Sequence, residues 1–222
     1  MKQKFKVGIL DDDSSKITQI ITMLLYGMLG ASPEKKARYK DYELIPYEIK
    51  LQEDIQDIIS EVFEQKLDCI LIDYKLSSYA ITDFTGVEIA KILGEEIYDF
   101  PIFILTSYED DLFTKEIYNA YQVFDFDRYL TEPAERIELN CKIIEQILKS
   151  TKQREQWEKE IVKLLPLSGK SEEIDSRILE LDNKLERSIS GKYSISKKIK
   201  KDLNTNKLNE LIDRIDDILG ED

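Results

Sequence analysis

The chain has 222 residues, of which 42% are hydrophobic and 35% are charged, and its formal net charge is −13. This composition supports a hydrophobic core and a well-solvated surface. The negative charge argues against nonspecific nucleic-acid binding, which depends on neutralising phosphates. No apolar run approaches the ~20 residues of a membrane span. The sequence contains no histidine for metal ligation or acid–base chemistry. Two cysteines and the absence of a signal-peptide pattern indicate a reduced, cytoplasmic compartment.

The charge divides the chain into two regions. Residues 1–150 carry a net charge of −12, whereas residues 151–222 carry −1. We therefore predict a domain over 1–150 and a separate extension over 151–222.

Apolar segments alternate with amphipathic helical patterns along the first region. This alternation predicts an α/β fold with a five-stranded, parallel, doubly wound sheet. The strands are predicted at 5–10, 44–51, 69–72, 101–105 and 126–130, and the helices at 14–29, 53–66, 86–95, 110–121 and from 134 onward. The polar connection 30–42 is predicted to be a surface loop or a short extra turn, with a partner-docking site as the alternative.

The extension is predicted to be helical. Residues 134–165 contain neither Gly nor Pro, so a helix of up to ~48 Å is allowed at 1.5 Å per residue. Further amphipathic helices are predicted from Ser171 and over 207–219. Their apolar stripes need a partner surface, which could be a small bundle, the first domain or a homodimer. The lysine-rich segment 192–201 is interpreted as a solvated loop; a nucleic-acid or membrane patch is the alternative, although acidic residues flank it and no helix-turn-helix pattern surrounds it.

Polar residues follow three of the predicted strands. Asp11 and Asp12 follow the first strand, Asp73 follows the third, and Thr106 follows the fourth. In open α/β sheets, ligands bind at the carboxyl ends of the strands. Carboxylates gathered there repel one another unless a cation joins them, and hard oxygen ligands suit Mg²⁺. A metal-held aspartate beside a hydroxyl is equipped to accept a phosphoryl group.

These residues, together with the run Tyr129-Leu130-Thr131-Glu132-Pro133, resemble the receiver domain of bacterial two-component response regulators. The resemblance implies that Asp73 is the phosphoacceptor and that Asp11, Asp12 and the backbone carbonyl of Lys75 join it in holding Mg²⁺. It further implies that Thr106 contacts the phosphoryl group, that Tyr129 changes rotamer on activation, and that Gly86 precedes the third helix. The phosphoryl donor would be a histidine kinase or phosphotransfer protein.

The sequence departs from the family pattern in two places. The family has a lysine before the proline after its fifth strand, and here that residue is Glu132, which reverses the charge. Lys75, Lys115 or Arg128 are the candidate substitutes. The segment between Asp73 and Gly86 is also longer than usual in the family.

Three functions follow from these observations. The first is a signalling switch and not a metabolic enzyme. This switch would act on a protein effector through the helical extension, or through the face formed by the fourth helix and the fifth strand, and it would have no DNA-binding output. The second is a pseudo-receiver scaffold that Glu132 prevents from being phosphorylated. The third is a phosphatase resembling the haloacid dehalogenase type, with Asp11 as nucleophile and Asp13 as acid–base; this alternative leaves Asp73 without a role.

Overall fold

A computed structural model of the chain describes residues 2–76, 84–107 and 122–190. The chain divides into two compact units, Met1–Thr151 and Lys152–Asp222. The helix predicted at 110–121, the lysine-rich segment 192–201 and the helix predicted at 207–219 lie outside the described residues. Among the residues that are described, no helix is both long and apolar enough to span a membrane.

The first unit is built on a five-stranded, all-parallel sheet with the order β2-β1-β3-β4-β5. This order is that of the flavodoxin-like doubly wound fold, which confirms the predicted fold class. The strands are β1 (Gln3–Leu10), β2 (Tyr42–Glu48), β3 (Cys69–Ile72), β4 (Ile102–Thr106) and β5 (Val123–Asp125).

Helices cover both faces of this sheet. Successive residues of the central strands alternate between two cores, because side chains of a strand point to opposite faces. The helices of this unit are α1 (Ser14–Tyr26), α2 (Pro33–Tyr39), α3 (Ile55–Glu64), α4 (Gly86–Glu96), α5 (Phe126–Thr131) and α6 (Pro133–Leu164), the last of which also contributes residues to the second unit. Cys69 and Leu71 enter one core with helices α1 and α6, while Ile70 and Ile72 enter the other with α3 and α4.

The connection 30–42 contains the helix α2, which is closer to the predicted short extra turn than to a loop without secondary structure. Ser32 caps its first turn by accepting from Lys35 N at 3.3 Å, and Pro33 occupies a position where a missing N–H costs nothing. Tyr39 is buried and donates its hydroxyl hydrogen to Glu145 on α6, which also pairs with Arg38 at 3.0 Å. Tyr39 and its bond to Glu145 therefore anchor the C-terminal end of this helix to the first unit, while residues 32–38 are exposed to solvent.

The predicted fifth strand is also wrong in its position. The strand occupies Val123–Asp125, and the residues predicted as strand, 126–130, form most of the helix α5. Asp125 starts this helix, since its Oδ1 accepts from Arg128 N at 2.7 Å. An aspartate at this position favours the helix through capping, which outweighs the β-propensity of Phe126 and Tyr129.

The described part of the second unit is helical. The C-terminal end of α6 is followed by a 3₁₀ turn at Leu165–Leu167 and by the helix α7 (Glu172–Ser190). Gly169 has a φ of +80°, as expected of the residue at which the chain reverses. Trp157 on α6 and Leu181 on α7 are buried, and Arg177 joins the two helices through a 2.7 Å bond from Nε to Glu160.

Candidate phosphoryl-acceptor site

The register of the sheet brings two of the predicted carboxylates together. Leu10 of β1 pairs with Ile72 of β3, and the next residues along the two strands are Asp11 and Asp73. Asp73 N donates to the carbonyl of Leu10 at 2.9 Å, so the pairing extends to the site itself. Both aspartates are buried, with 5% of Asp11 and 4% of Asp73 exposed.

Asp12 completes a cluster of three carboxylates at this edge. One oxygen from each of Asp11, Asp12 and Asp73 lies within 4.8 Å of the other two. The turn that follows β1 fixes this arrangement, because Asp11 Oδ1 accepts from Asp13 N at 2.8 Å. Asp13 itself caps α1 by accepting from Ser15 N at 2.8 Å, so it has a structural role outside the cluster.

The cluster includes a cation that the sequence reasoning missed. Lys16, in the first turn of α1, places its Nζ 3.6 Å from Asp73 Oδ2, and 22% of its side chain is exposed. The ammonium also lies 5.3 Å from the centre of the Phe126 ring. Lys16 contacts a residue 57 positions later in the chain, so no local sequence pattern indicates this contact.

Electrostatics at the site are strongly perturbed. Burial and the neighbouring charge of Asp73 raise the pKa of Asp11 from 3.8 to about 7. Burial likewise raises the pKa of Asp73, although Lys16 and the backbone N–H of Lys75 act in the opposite direction. Burial lowers the pKa of Lys16, but Asp73 and Asp11 outweigh it, so the net shift is upward. The site therefore holds carboxylates that are costly to ionise together.

The structure also places three further residues that the sequence predicted for the site, which are Thr106, Gly86 and Lys75. Thr106 is the last residue of β4, which pairs with β3, and it is fully buried. Gly86 begins α4, and its N–H donates to the carbonyl of Tyr74 at 2.9 Å. A Cβ at Gly86 would lie 1.9 Å from the carbonyl oxygen of Asp73, so only glycine allows this approach. Lys75, whose backbone carbonyl is the proposed fourth ligand, has an exposed side chain.

The residues expected from the fifth strand occupy different positions. Tyr129 lies on α5, is 1% exposed, and donates its hydroxyl hydrogen to Asn140 Oδ1 at 3.2 Å. Burial raises the pKa of Tyr129, which keeps the hydroxyl a neutral donor. Glu132 follows α5, seven residues after the end of β5, and pairs with Arg128 at 3.2 Å. It therefore does not occupy the strand end at which the family lysine was expected.

The structure describes only some of the basic residues that could substitute for the family lysine and of the aromatic residues near the fifth strand. Arg128 is half exposed and engaged with Glu132 and Glu135. Lys115 lies outside the described residues. Three aromatic residues of the segment that follows the predicted fourth helix are described, and all three are core residues (Phe124, Phe126 and Tyr129).

Comparisons with known proteins return matches only among solved structures. No family model matches the chain, and no curated protein matches it. The anti-anti-sigma factor PhyR from Bartonella quintana is similar at 13% identity and a TM-score of 0.43, covering 70% of this chain and 52% of that one. A two-component transcriptional regulator AraC from Clostridium phytofermentans has 13% identity and a TM-score of 0.42, with 67% and 98% covered. The response regulator PhyR from Brucella abortus has 13% identity and a TM-score of 0.42, with 68% and 51% covered.

The chain therefore spans about half the length of the two PhyR proteins. We assign the fold from the sheet of this chain and not from its similarity to these structures. The sheet order, the register of β1 with β3 and the carboxylates at its edge give the first unit a receiver-like fold.

Proposed function

We propose that this chain is a receiver-type signalling protein that accepts a phosphoryl group on Asp73. The observation that carries the proposal is the cluster of Asp11, Asp12 and Asp73, whose oxygens lie within 4.8 Å of one another at the carboxyl edge of the sheet. Asp73 directly follows the middle strand β3 and is 4% exposed, and it is the member of the cluster that we assign as the acceptor.

The donor set fits Mg²⁺. Asp73 Oδ1 is buried and makes no hydrogen bond with any of the described residues, and such an oxygen needs a partner to offset its desolvation. Three carboxylates and the Lys16 ammonium carry a net charge of −2 when all are ionised, which a divalent cation balances. Asp11, Asp12, Asp73 and the carbonyl of Lys75 would hold the ion. When bound, Mg²⁺ supplies charge neutralisation for phosphoryl transfer.

The proposed reaction is a direct displacement at phosphorus. A carboxylate oxygen of Asp73 attacks the phosphorus of a phosphohistidine or a small acyl phosphate. The bond from phosphorus to the donor breaks, and the electron pair leaves with the donor. The product is an aspartyl phosphate, and Thr106 at the end of β4 is the hydroxyl proposed to contact its oxygens. Because the chain has no histidine, a phosphohistidine donor must be a partner protein, either a histidine kinase or a phosphotransfer protein.

The output proposed is a change in binding to a protein effector. The helix α6 begins beside α5 in the first unit and continues into the second. Asn140 on this helix donates to the carbonyl of Met23 on α1 at 3.1 Å and accepts from Tyr129 on α5, so the helix is joined to the domain that carries the site. A change in the site that shifts α1 or α5 would alter the population of conformations of α6. The role is that of a switch, and catalysis is confined to the domain's own phosphorylation.

The test is the intact mass of the protein after incubation with acetyl phosphate and Mg²⁺. We expect the wild-type protein to gain one phosphoryl group, and we expect no gain in the presence of EDTA or in Asp73→Asn. A wild-type protein that binds Mg²⁺ and gains nothing would instead support the pseudo-receiver scaffold. That alternative was proposed because Glu132 was expected at the end of the fifth strand, where it would oppose a phosphoryl group. Glu132 instead lies outside β5 and pairs with Arg128, which weakens the case for the alternative.

A further inference from the structure

We propose that Lys16 supplies the positive charge that the phosphoryl group needs at this site. The inference rests on the proposed function and extends it, because it assigns the cation to helix α1 instead of the residue after the fifth strand. Its basis is the geometry of one ammonium group against the reacting carboxylate.

In the part of the chain that the structure describes, Lys16 places its ammonium against Asp73. Its Nζ lies 3.6 Å from Asp73 Oδ2, and its side chain is mostly buried, with 22% exposed. The other basic side chains considered are placed differently in the described structure: Lys75 is exposed and Arg128 is paired with Glu132 and Glu135. An ammonium in contact with the acceptor carboxylate is also within reach of a phosphoryl group bonded to that carboxylate, since the lysine stem is flexible.

The position of Lys16 is fixed by its helix. Asp13 caps α1, and Ile17 and Ile20 bury the helix against the core. The same turn holds Asp11 through its bond from Asp13 N. The lysine and the cluster are therefore held by one short segment, and the centre of the Phe126 ring lies 5.3 Å from the ammonium. This arrangement is built before any phosphoryl group arrives.

The consequence is a division of roles between two cations. During transfer, negative charge spreads over the phosphoryl oxygens, and fixed positive charge stabilises it. Lys16 would meet these oxygens from the α1 side while the carboxylate cluster holds the metal. In the free protein, the same ammonium lowers the negative charge available to Mg²⁺. Lys16 therefore favours phosphoryl transfer and weakens metal binding, which is a combination that a purely structural residue does not produce.

The test compares Lys16→Met and Lys16→Arg with the wild-type protein in acetyl phosphate and saturating Mg²⁺. We expect the phosphorylation rate of Lys16→Met to fall about 10- to 100-fold, which is at or below the ~100-fold lower limit for the loss of one donor that stabilises transition-state charge. Lys16→Arg keeps a cation and should recover part of the rate. Mg²⁺ affinity, measured by calorimetry, should increase about 3- to 10-fold in Lys16→Met, because a nearby positive charge is lost. Arg128→Met changes the net charge equally and should leave both quantities unchanged.

The outcomes separate this inference from the proposed function. If wild type and Lys16→Met accept phosphoryl groups at the same rate, Lys16 is not the cation, although Asp73 remains the acceptor. If Lys16→Met loses Mg²⁺ affinity and thermal stability together with the rate, its role is structural and the inference is overturned. If the wild-type protein binds Mg²⁺ and accepts no phosphoryl group, both proposals are rejected. Should Lys16→Met not fold, as judged by circular dichroism, Lys16→Gln provides the same test.

Discussion

Replacing Asp11 with asparagine should stabilise the metal-free protein. Asp11 is 5% exposed and lies in the same cluster as Asp73, and its pKa is raised from 3.8 to about 7. Ionising it in the folded state is therefore unfavourable. Asparagine has nearly the same shape, and its Oδ1 can still accept the bond from Asp13 N. The substitution removes the charge and retains the turn.

The magnitude follows from the displaced pKa. Each unit by which the pKa differs between the folded and unfolded states corresponds to about 1.4 kcal/mol of stability, so the full shift of Asp11 corresponds to about 4 kcal/mol. Because partial relaxation of the site reduces this value, we expect Asp11→Asn to raise the free energy of unfolding by about 2–4 kcal/mol. Because the folded-state pKa is the higher one, this group's contribution to stability is fully present below pH 3.8 and is lost as the pH rises through about 7. The difference between variant and wild type should thus be largest near pH 8 and nearly absent near pH 4.

The assay is urea unfolding in EDTA at several pH values between these limits. Asp13→Asn is the matched control, because it removes a carboxylate from the same turn. Asparagine caps a helix about as well as aspartate, so this control variant should change the free energy of unfolding by less than about 0.5 kcal/mol. The reasoning would be refuted if Asp11→Asn were less stable than wild type at pH 8, or if its gain were independent of pH. Adding Mg²⁺ at ten times its Kd should stabilise wild type by about 1.4 kcal/mol and should not stabilise Asp11→Asn to the same extent.

Further predictions concern the packing around the site. Gly86→Ala should lower the free energy of unfolding by about 1–3 kcal/mol and slow phosphorylation, because its Cβ would meet the Asp73 carbonyl at 1.9 Å; urea unfolding and intact mass measure the two effects. Gly94→Ala lies in the same helix with nothing within 4 Å of its Cβ, so it should be neutral or stabilising by up to about 1 kcal/mol, and an equal loss in both variants would contradict this account. Asn140→Ala should cost about 2–4 kcal/mol in urea unfolding, since it leaves the Tyr129 hydroxyl and the Met23 carbonyl without this partner. Tyr129→Phe should cost less than Asn140→Ala, and the reverse order would show that the bond to Tyr129 is the dominant one.

The sheet and its edge could be predicted from the sequence because their signals are local. The short apolar run of β3, buried at all four positions, ends in a charged residue, and parallel strands bring their carboxyl ends to one edge. The positions of Asp11, Asp73 and Thr106 at the ends of β1, β3 and β4 follow from these two facts. The roles assigned to these residues stay predictions.

The missed features depend on side-chain contacts that a linear pattern does not contain. Lys16 resembles any lysine on an amphipathic helix, and its importance comes from a contact with a residue 57 positions later. The shift of β5 follows from the cap that Asp125 provides to α5, which competes with the aromatic strand pattern after it. The helix α2 is short and polar, and its stability depends on contacts of Tyr39 and Arg38 with Glu145 on α6.

The most direct test of the central claim identifies the residue that carries the phosphoryl group. After reaction with acetyl phosphate and Mg²⁺, borohydride reduces an aspartyl phosphate to homoserine, and peptide sequencing by mass spectrometry locates it. We predict homoserine at position 73 alone, dependent on both reagents and unaffected by Arg128→Met. Homoserine at position 11 would instead favour the phosphatase alternative, and its absence from every position in a protein that binds Mg²⁺ would contradict the account.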